Sequence, residues 1–364
     1  MPRGYGDTQF IEFPEGQSDD QIRTATNQMG IGFLQFVQRV DAAMTALNAP
    51  DPTIEMLSYR TTRRNVRQRG RDNKKWQRSA EYVPGRPQLG QPGKGFQRPL
   101  YSWEIDLGFT RRGLMRMGLE QFTEEVQTTV GAARRGRRAD VLDRFFSDLE
   151  FPLDDDGVGA SPGFAGSGTG ANDFEGVFPN NVEVPANYTH YFQAADTEAG
   201  IHAAILDALE ALDNWGENRY YEMIGDVTSI NQIRTYLGDD KFVGAGSQLI
   251  RPGEAQTQAL VNAATHHGVY AGRIRVRPGL SQISGRNIAI FFYGGQNSPQ
   301  NPLAYVYDEL FGLNAYVEDR ILYPLAEAAI LQTYGVGVND DRVGAVCISI
   351  GGSAGVYARP AILR

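Results

Sequence analysis

The sequence predicts an α+β chain of two or three linked lobes, and three observations predict it. At 364 residues the chain is longer than one ordinary compact core. Helical periodicity dominates its first half, and short strand-like runs dominate its last third. Between a first helix and a long second one lies a Gly-, Pro- and Arg-rich arm with too few apolar residues to fold by itself.

The elements follow in order. Ser18-Asp19-Asp20 offers an N-cap, and Ile31, Phe33, Leu34, Phe36, Val37, Val40, Met44 and Leu47 recur at helical spacing. Ala49-Pro50-Asp51-Pro52 ends that helix. Residues 53–61 read as a strand. Residues 99–109 read as another, since Leu100, Ser102, Glu104 and Asp106 alternate with Tyr101, Trp103, Ile105 and Leu107. The connection between them, about 38 residues, would reach at most about 60 Å as a two-stranded arm. A lone hairpin of that length is not stable in water, so it needs another surface to lie on.

Thr110 is placed to cap the next helix, residues 111–150, with apolar positions at Leu114, Met117, Phe122, Val126, Val130, Val141, Phe145 and Leu149. Gly131 and Gly136 are the points where it would bend or break. Residues 151–187 carry no periodicity. A helix over 197–214 (Ile201, Ile205, Leu206, Leu209, Leu212) leads to a strand at Tyr220–Ile224 and a helix from Ile230 to Leu237 capped by Ser229. Strands are predicted at 271–277, 287–293 and 303–307. Residues 313–322 and 326–350 are β-rich, with Gly335–Arg342 as a hairpin turn and Val356–Leu363 as a last extended segment.

The net charge is −8, unevenly spread. Arg60, Arg63, Arg64, Arg67, Arg69, Arg71, Lys74, Lys75, Arg78, Arg86, Lys94 and Arg98 face only two acids, Asp72 and Glu81, within the arm. The remainder holds 23 basic and 41 acidic residues. A basic arm on an acidic body predicts an acidic partner, either nucleic acid or a neighbouring copy of the same body. Nine of the twelve cations are Arg, the residue suited to bidentate carboxylate pairing. Aromatic residues for stacking on bases are sparse: Trp76, Tyr82 and Phe96. The twelve are therefore read as inter-subunit contacts.

Chemistry is hard to find. His266 and His267 are adjacent and share no face of a helix or strand, while His190 and His202 lack ligands at metal spacing. Asp154-Asp155-Asp156-Gly157 lacks the rest of a calcium loop. Gly166-Ser167-Gly168-Thr169-Gly170 lacks the strand, Lys and helix of a phosphate loop. Ser349-Ile350-Gly351-Gly352-Ser353 has no base placed to activate a serine. Cys347, alone in the chain and flanked by Val346 and Ile348, reads as a small buried hydrophobe and permits no internal disulfide. No catalytic, cofactor-binding or metal residue is assigned, and no cofactor is expected. No stretch approaches the roughly 18 apolar residues of a membrane span, and residues 1–13 lack a signal-peptide core. A soluble, intracellular, non-enzymatic product is expected.

The order of elements carries a resemblance. A basic two-stranded loop (Arg60–Arg98), its returning strand (Leu100–Phe109), a long helix (Arg111–Glu150) and β-rich segments over Ile330–Val338 and Arg342–Ile350 look like the major capsid proteins of tailed bacteriophages, the Hong Kong 97 (HK97-like) capsid fold. The resemblance implies an N-terminal arm at 1–52 and an E-loop hairpin at 53–109. It implies a peripheral domain with spine helix at 110–187 and 303–349, and an axial domain at 188–302 and 350–364. It also implies a virion shell made in the bacterial host cytoplasm from pentamers and hexamers of the chain. Such a shell has scaffolding, portal or cement proteins as further partners and encloses double-stranded DNA without sequence specificity. Some relatives cross-link a loop lysine to a neighbour, but nothing around Lys74, Lys75 or Lys94 indicates that reaction. An encapsulin-like nanocompartment shell and a nucleic-acid-binding protein using residues 60–98 are the alternatives.

Overall fold

The computed structural model describes residues 31–67, 95–109, 111–147, 190–213, 221–238, 241–244, 267–310, 312–319, 328–339, 345–351 and 357–364. The proposed caps at Ser18–Asp20 and Thr110, the acidic turn at 154–157 and the glycine run at 166–170 lie outside them.

Helix α1 (Phe33–Asn48) is followed by the short α2 (Pro52–Leu57), where a strand was predicted. Asp51 decides the difference: its carboxylate accepts from the amides of Thr53 (2.9 Å) and Ile54 (3.4 Å), and Pro52 fills the first helical position. Strand β1 (Ser58–Thr61) begins only after that turn. Strands β2 (Asn65–Arg67) and β3 (Gly95–Gln97) pair antiparallel at the arm's root, and β4 (Tyr101–Asp106) follows. In β4, Tyr101, Trp103 and Ile105 are half-buried while Ser102, Glu104 and Asp106 are exposed, as the alternation predicts.

The long helix comes in two pieces, α3 (Arg111–Arg116) and α4 (Leu119–Phe146). The break falls at Met117-Gly118, and α4 runs unbroken through Gly131 and Gly136. Strand β5 (Tyr191–Ala194), α5 (Glu198–Asp213) and β6 (Tyr221–Gly225) come next. Helix α6 (Val227–Ile233) is capped by Asp226, whose carboxylate accepts from the Ser229 amide at 2.9 Å, so it starts earlier than a Ser229 cap allows. The remaining strands are β7 (Phe242–Gly244), β8 (Gly268–Tyr270), β9 (Ile274–Val276), β10 (Ile283–Ser284), β11 (Asn287–Phe292), β12 (Leu303–Tyr307), β13 (Tyr316–Asp319), β14 (Ala328–Val338), β15 (Ala345–Ile350) and β16 (Ala361–Ile362).

Two sheets organise these elements. The first runs β1-β12-β14-β13, with β4 on the other edge of β14. The second runs β5-β15-β11-β6-β9-β8-β7. Strands β14 and β15 therefore lie in different sheets. The expected hairpin at Gly335–Arg342 is absent, and Gly335–Val338 continues β14 against β12. The boundary drawn at residue 349 would separate β15 from the sheet to which it belongs.

The second sheet is buried on both sides, which explains the unbroken apolar run of β11. Ile288, Ile290, Val346 and Ile348 meet Ile201, Ile205 and Leu212 of α5. Ala289, Phe291, Ala345 and Cys347 meet Leu142, Phe145 and Phe146 of α4. The other half of α4 packs Phe122, Val126 and Val130 against Phe36, Val40 and Met44 of α1 and Ile330 of β14. One helix thus belongs to two cores. Cys347 is buried as the apolar run predicted. His190 is buried too, its Nδ1–H donating to the Ala345 carbonyl at 2.7 Å.

Candidate assembly surface

The site that the sequence singles out is the arm, and the structure shows how its root is held. Arg98 is 1% exposed. Its Nε donates to the carbonyl of Val338 (3.1 Å), one Nη to that of Arg63 (3.0 Å) and the other to the Tyr59 hydroxyl (3.1 Å). Its backbone amide donates to Arg64 at 2.9 Å. One planar guanidinium thereby joins the outgoing limb, the returning limb and the end of β14. The glycines of β14 make room for this. A Cβ on Gly337 would sit 2.7 Å from Arg98 Cγ, and one on Gly335 would sit 1.9 Å from the Pro99 carbonyl oxygen.

Beneath the outgoing limb, Asn301 is fully buried. Its Nδ2 donates to the carbonyls of Glu55 (3.0 Å), Ser58 (3.3 Å) and Gly295 (2.9 Å). Asn297 Oδ1 accepts from the Arg60 amide at 2.6 Å. Asp51 also ties this junction to α4, pairing with Arg138 at 2.7 Å.

Of the twelve predicted contact residues, Arg69, Arg71, Lys74, Lys75, Arg78, Arg86 and Lys94 lie outside the described residues, and Arg67 is described in its backbone alone. Arg60 pairs with Glu55 of its own chain at 2.7 Å. Arg63 and Arg64 are exposed. Arg98 needs correcting: its guanidinium is enclosed by its own chain, because the carbonyls of Arg63 and Val338 need its donors. Sequence reading counted Arg98 as one more surface cation. The only local signal is the Gly335-Val336-Gly337 spacing, which leaves one side of β14 bare.

The same sheet turns an acidic face outward. Directly opposed residues share a face, and Asp106 and Glu318 both oppose Ala329 from either side. Glu104 and Tyr316 likewise flank Leu331. Glu104, Asp106 and Glu318 are all exposed. On the opposite face, Trp103 stacks on Tyr334 (5.3 Å) and Tyr334 on Tyr305 (5.1 Å), with the Tyr334 hydroxyl donating to Asp140 at 2.6 Å. Burial pushes the Asp140 carboxyl above its ordinary range, and burial with the nearby Asp140 charge pushes the Tyr334 hydroxyl up.

Residues 357–364 are strapped across α4. Arg359 pairs with Asp143 (2.6 Å), Arg364 with Asp140 (3.1 Å), and the Tyr357 hydroxyl donates to the Phe146 carbonyl (2.9 Å). Ser349 serves here as a hydrogen-bond acceptor for the Ala358 amide at 3.2 Å. Among the described residues no group of three His, Cys, Asp or Glu could hold a metal ion, and no helix is long and apolar enough to cross a membrane.

No family model matches the chain, and no curated protein matches its sequence. A solved structure titled Mycobacterium phage Patience superposes on 95% of this chain and 96% of its own, with a TM-score of 0.62 at 18% identity. The fold is of the Hong Kong 97 type. Looser likenesses include the asymmetric unit of the bacteriophage PhiM1 mature capsid (TM-score 0.49, 9% identity, 82% of this chain and 86% of that one). Another is the capsid of a native GTA particle (0.48, 13%, 84% and 92%).

Proposed function

We propose that this chain is a major capsid protein: a structural, non-catalytic subunit that assembles with copies of itself into an icosahedral virion shell around double-stranded DNA. The observation that carries the reading is the end-to-end match of fold with a phage structure, over 95% and 96% of the two chains. The arm supports it. Its root is clasped rigidly by Arg98, while its cations have no matching store of acids within the arm itself. The outward face bearing Glu104, Asp106 and Glu318 is the kind of surface such an arm would cover on a neighbouring copy. Each arm then adds interface to a ring already closed by symmetry, so individually weak contacts sum to a stable shell. The five-stranded sheet with α4 is the peripheral part and the seven-stranded sheet the axial part. Scaffolding, portal or cement proteins would be further partners.

Negative-stain microscopy of the purified full chain tests the reading. Closed polyhedral particles or capsomer rings are expected. A chain that stays monomeric at high concentration and binds duplex DNA with a steep salt dependence would replace it with the nucleic-acid-binding alternative. Particles that carry a cargo enzyme in place of DNA would indicate a nanocompartment shell.

A further inference from the structure

The seven-stranded sheet carries different chemistry on its two sides. On one side α5 covers it, and the outward stripe of α5 holds Ala203, Leu206, Asp207 and Glu210, all exposed. These positions lie three or four apart, so they share one helix face. Leu206 is 45% exposed. Neither Asp207 nor Glu210 has an ion pair or side-chain hydrogen bond among the described residues.

On the other side a row of directly opposed residues crosses five strands. It runs from Phe291 of β11 through Glu222 of β6, Arg275 of β9 and Val269 of β8 to Val243 of β7. Opposed residues share a face of the sheet. Phe291 lies in the core beneath α4. Among the described residues Val269 and Val243 belong to neither core of this sheet, and both are partly exposed. The Arg275 side chain beside them is 54% exposed. It reaches Glu222 only at 3.7 Å, because Arg277 holds that carboxylate at 2.7 Å. The Arg275 guanidinium is therefore open to an acid from outside.

The two patches are complementary. One offers a leucine with two unpaired carboxylates, and the other offers two valines with a guanidinium. The α5 stripe does not suit its own counterpart, since the carboxylates of two copies would then face one another. Patches on opposite sides of one sheet can both be used by the same copy, which is what a head-to-tail ring requires.

We infer that the outward stripe of α5 in one copy packs on the β7–β9 face of the next, with Leu206 against Val269 and Val243 and with Asp207 and Glu210 at Arg275. The contact joins neighbours within one ring, and it rests on the capsid reading above.

Disulfide trapping in the full chain tests it, with Cys347 left in place because it is buried. Leu206→Cys and Val269→Cys chains are mixed, assembled and oxidised. A covalent dimer is expected from the mixture and from neither variant alone. Asp207→Arg with Glu210→Arg should lower its yield by about tenfold, and Arg275→Gln should then recover part of it by removing the like charge. Without any added cysteine, the same double reversal should raise the protein concentration needed for assembly by about tenfold. A dimer from Leu206→Cys alone overturns the inference, and so does assembly indifferent to the charge reversal. Particles that form without the mixed dimer overturn this contact and leave the capsid reading standing. A wild-type chain that stays monomeric overturns both.

Discussion

At the residue scale, Arg98 is the side chain on which the arm's geometry depends most. Replacing it with Ala removes three hydrogen bonds from a charged donor and leaves buried carbonyls unpaired, a loss of about 2–4 kcal/mol. Arg98→Lys should recover little, since an ammonium cannot span the same fork. Denaturant unfolding of the wild-type and variant chains measures both. Gly335→Ala and Gly337→Ala should also destabilise the chain, by about 1–3 kcal/mol. Gly335→Ala should cost more, because its new methyl meets backbone (the Pro99 carbonyl) and not a movable side-chain stem. Beyond the Gly335-Val336-Gly337 spacing, none of this was visible in the local sequence. Arg98 and its acceptor Val338 are 240 positions apart, and the clasp exists only once the sheet has formed.

His190 gives the fold a pH dependence. Burial holds its imidazole down to about 4, against an ordinary value of 6.5, although the Ala345 carbonyl partly favours the charged ring. The unfolded chain takes up a proton near 6.5 that the folded chain refuses until about 4. Stability from this residue is therefore complete above pH 6.5 and is lost as pH falls toward 4, by roughly 3 kcal/mol in all. His190→Gln should flatten that slope in denaturation midpoints compared at pH 7.0 and 4.5. A slope unchanged by the substitution would remove His190 as its source.

At the element scale, what sequence could and could not reveal divides along one line. Period-two alternation fixed β4 correctly because one of its faces packs inward and the other meets solvent. Helical spacing likewise located α1 and α5. The failures came where a local signal served a distant purpose. Glycines near 335 suggest a turn, but they let the arm's base cross β14 closely. The apolar run Ile54-Glu55-Met56-Leu57 suggests a strand, but Asp51-Pro52 caps a helical turn first. Helix α4 carries a prediction of its own. Gly136 lies in its interior, and a Cβ there would touch nothing within 4 Å. Gly136→Ala should therefore stabilise the chain by about 0.5–1 kcal/mol, read as a higher unfolding midpoint.

At the scale of the whole molecule, α4 joins the core it shares with α1 to the core it shares with the seven-stranded sheet, and the tail straps it through Arg359 and Arg364. Among the described residues, Arg63, Arg64 and the carboxylate face of the first sheet are exposed, and the proposed assembly would bring such surfaces of two copies together. If ion pairs between them hold the shell, assembled particles should loosen as ionic strength rises and exposed pairs are screened. Replacing Arg63 and Arg64 with Gln should shift that loosening to lower salt without altering the unfolding of the isolated subunit. Light scattering across a salt series checks the first part, and circular dichroism of the subunit checks the second.

The order of strands in the second sheet also governs when the subunit can exist at all. Strand β15 lies between β5 and β11 and pairs with both, so Tyr191–Ala194 has no partner until residues 345–350 have been synthesised. The ribosome must translate more than 150 further codons after β5 before that sheet closes. A nascent chain therefore lacks a finished seven-stranded sheet during most of its synthesis, and such long-range pairing forms slowly. Truncated or stalled products would be left with open strand edges on this sheet, which makes them material for chaperones and proteases.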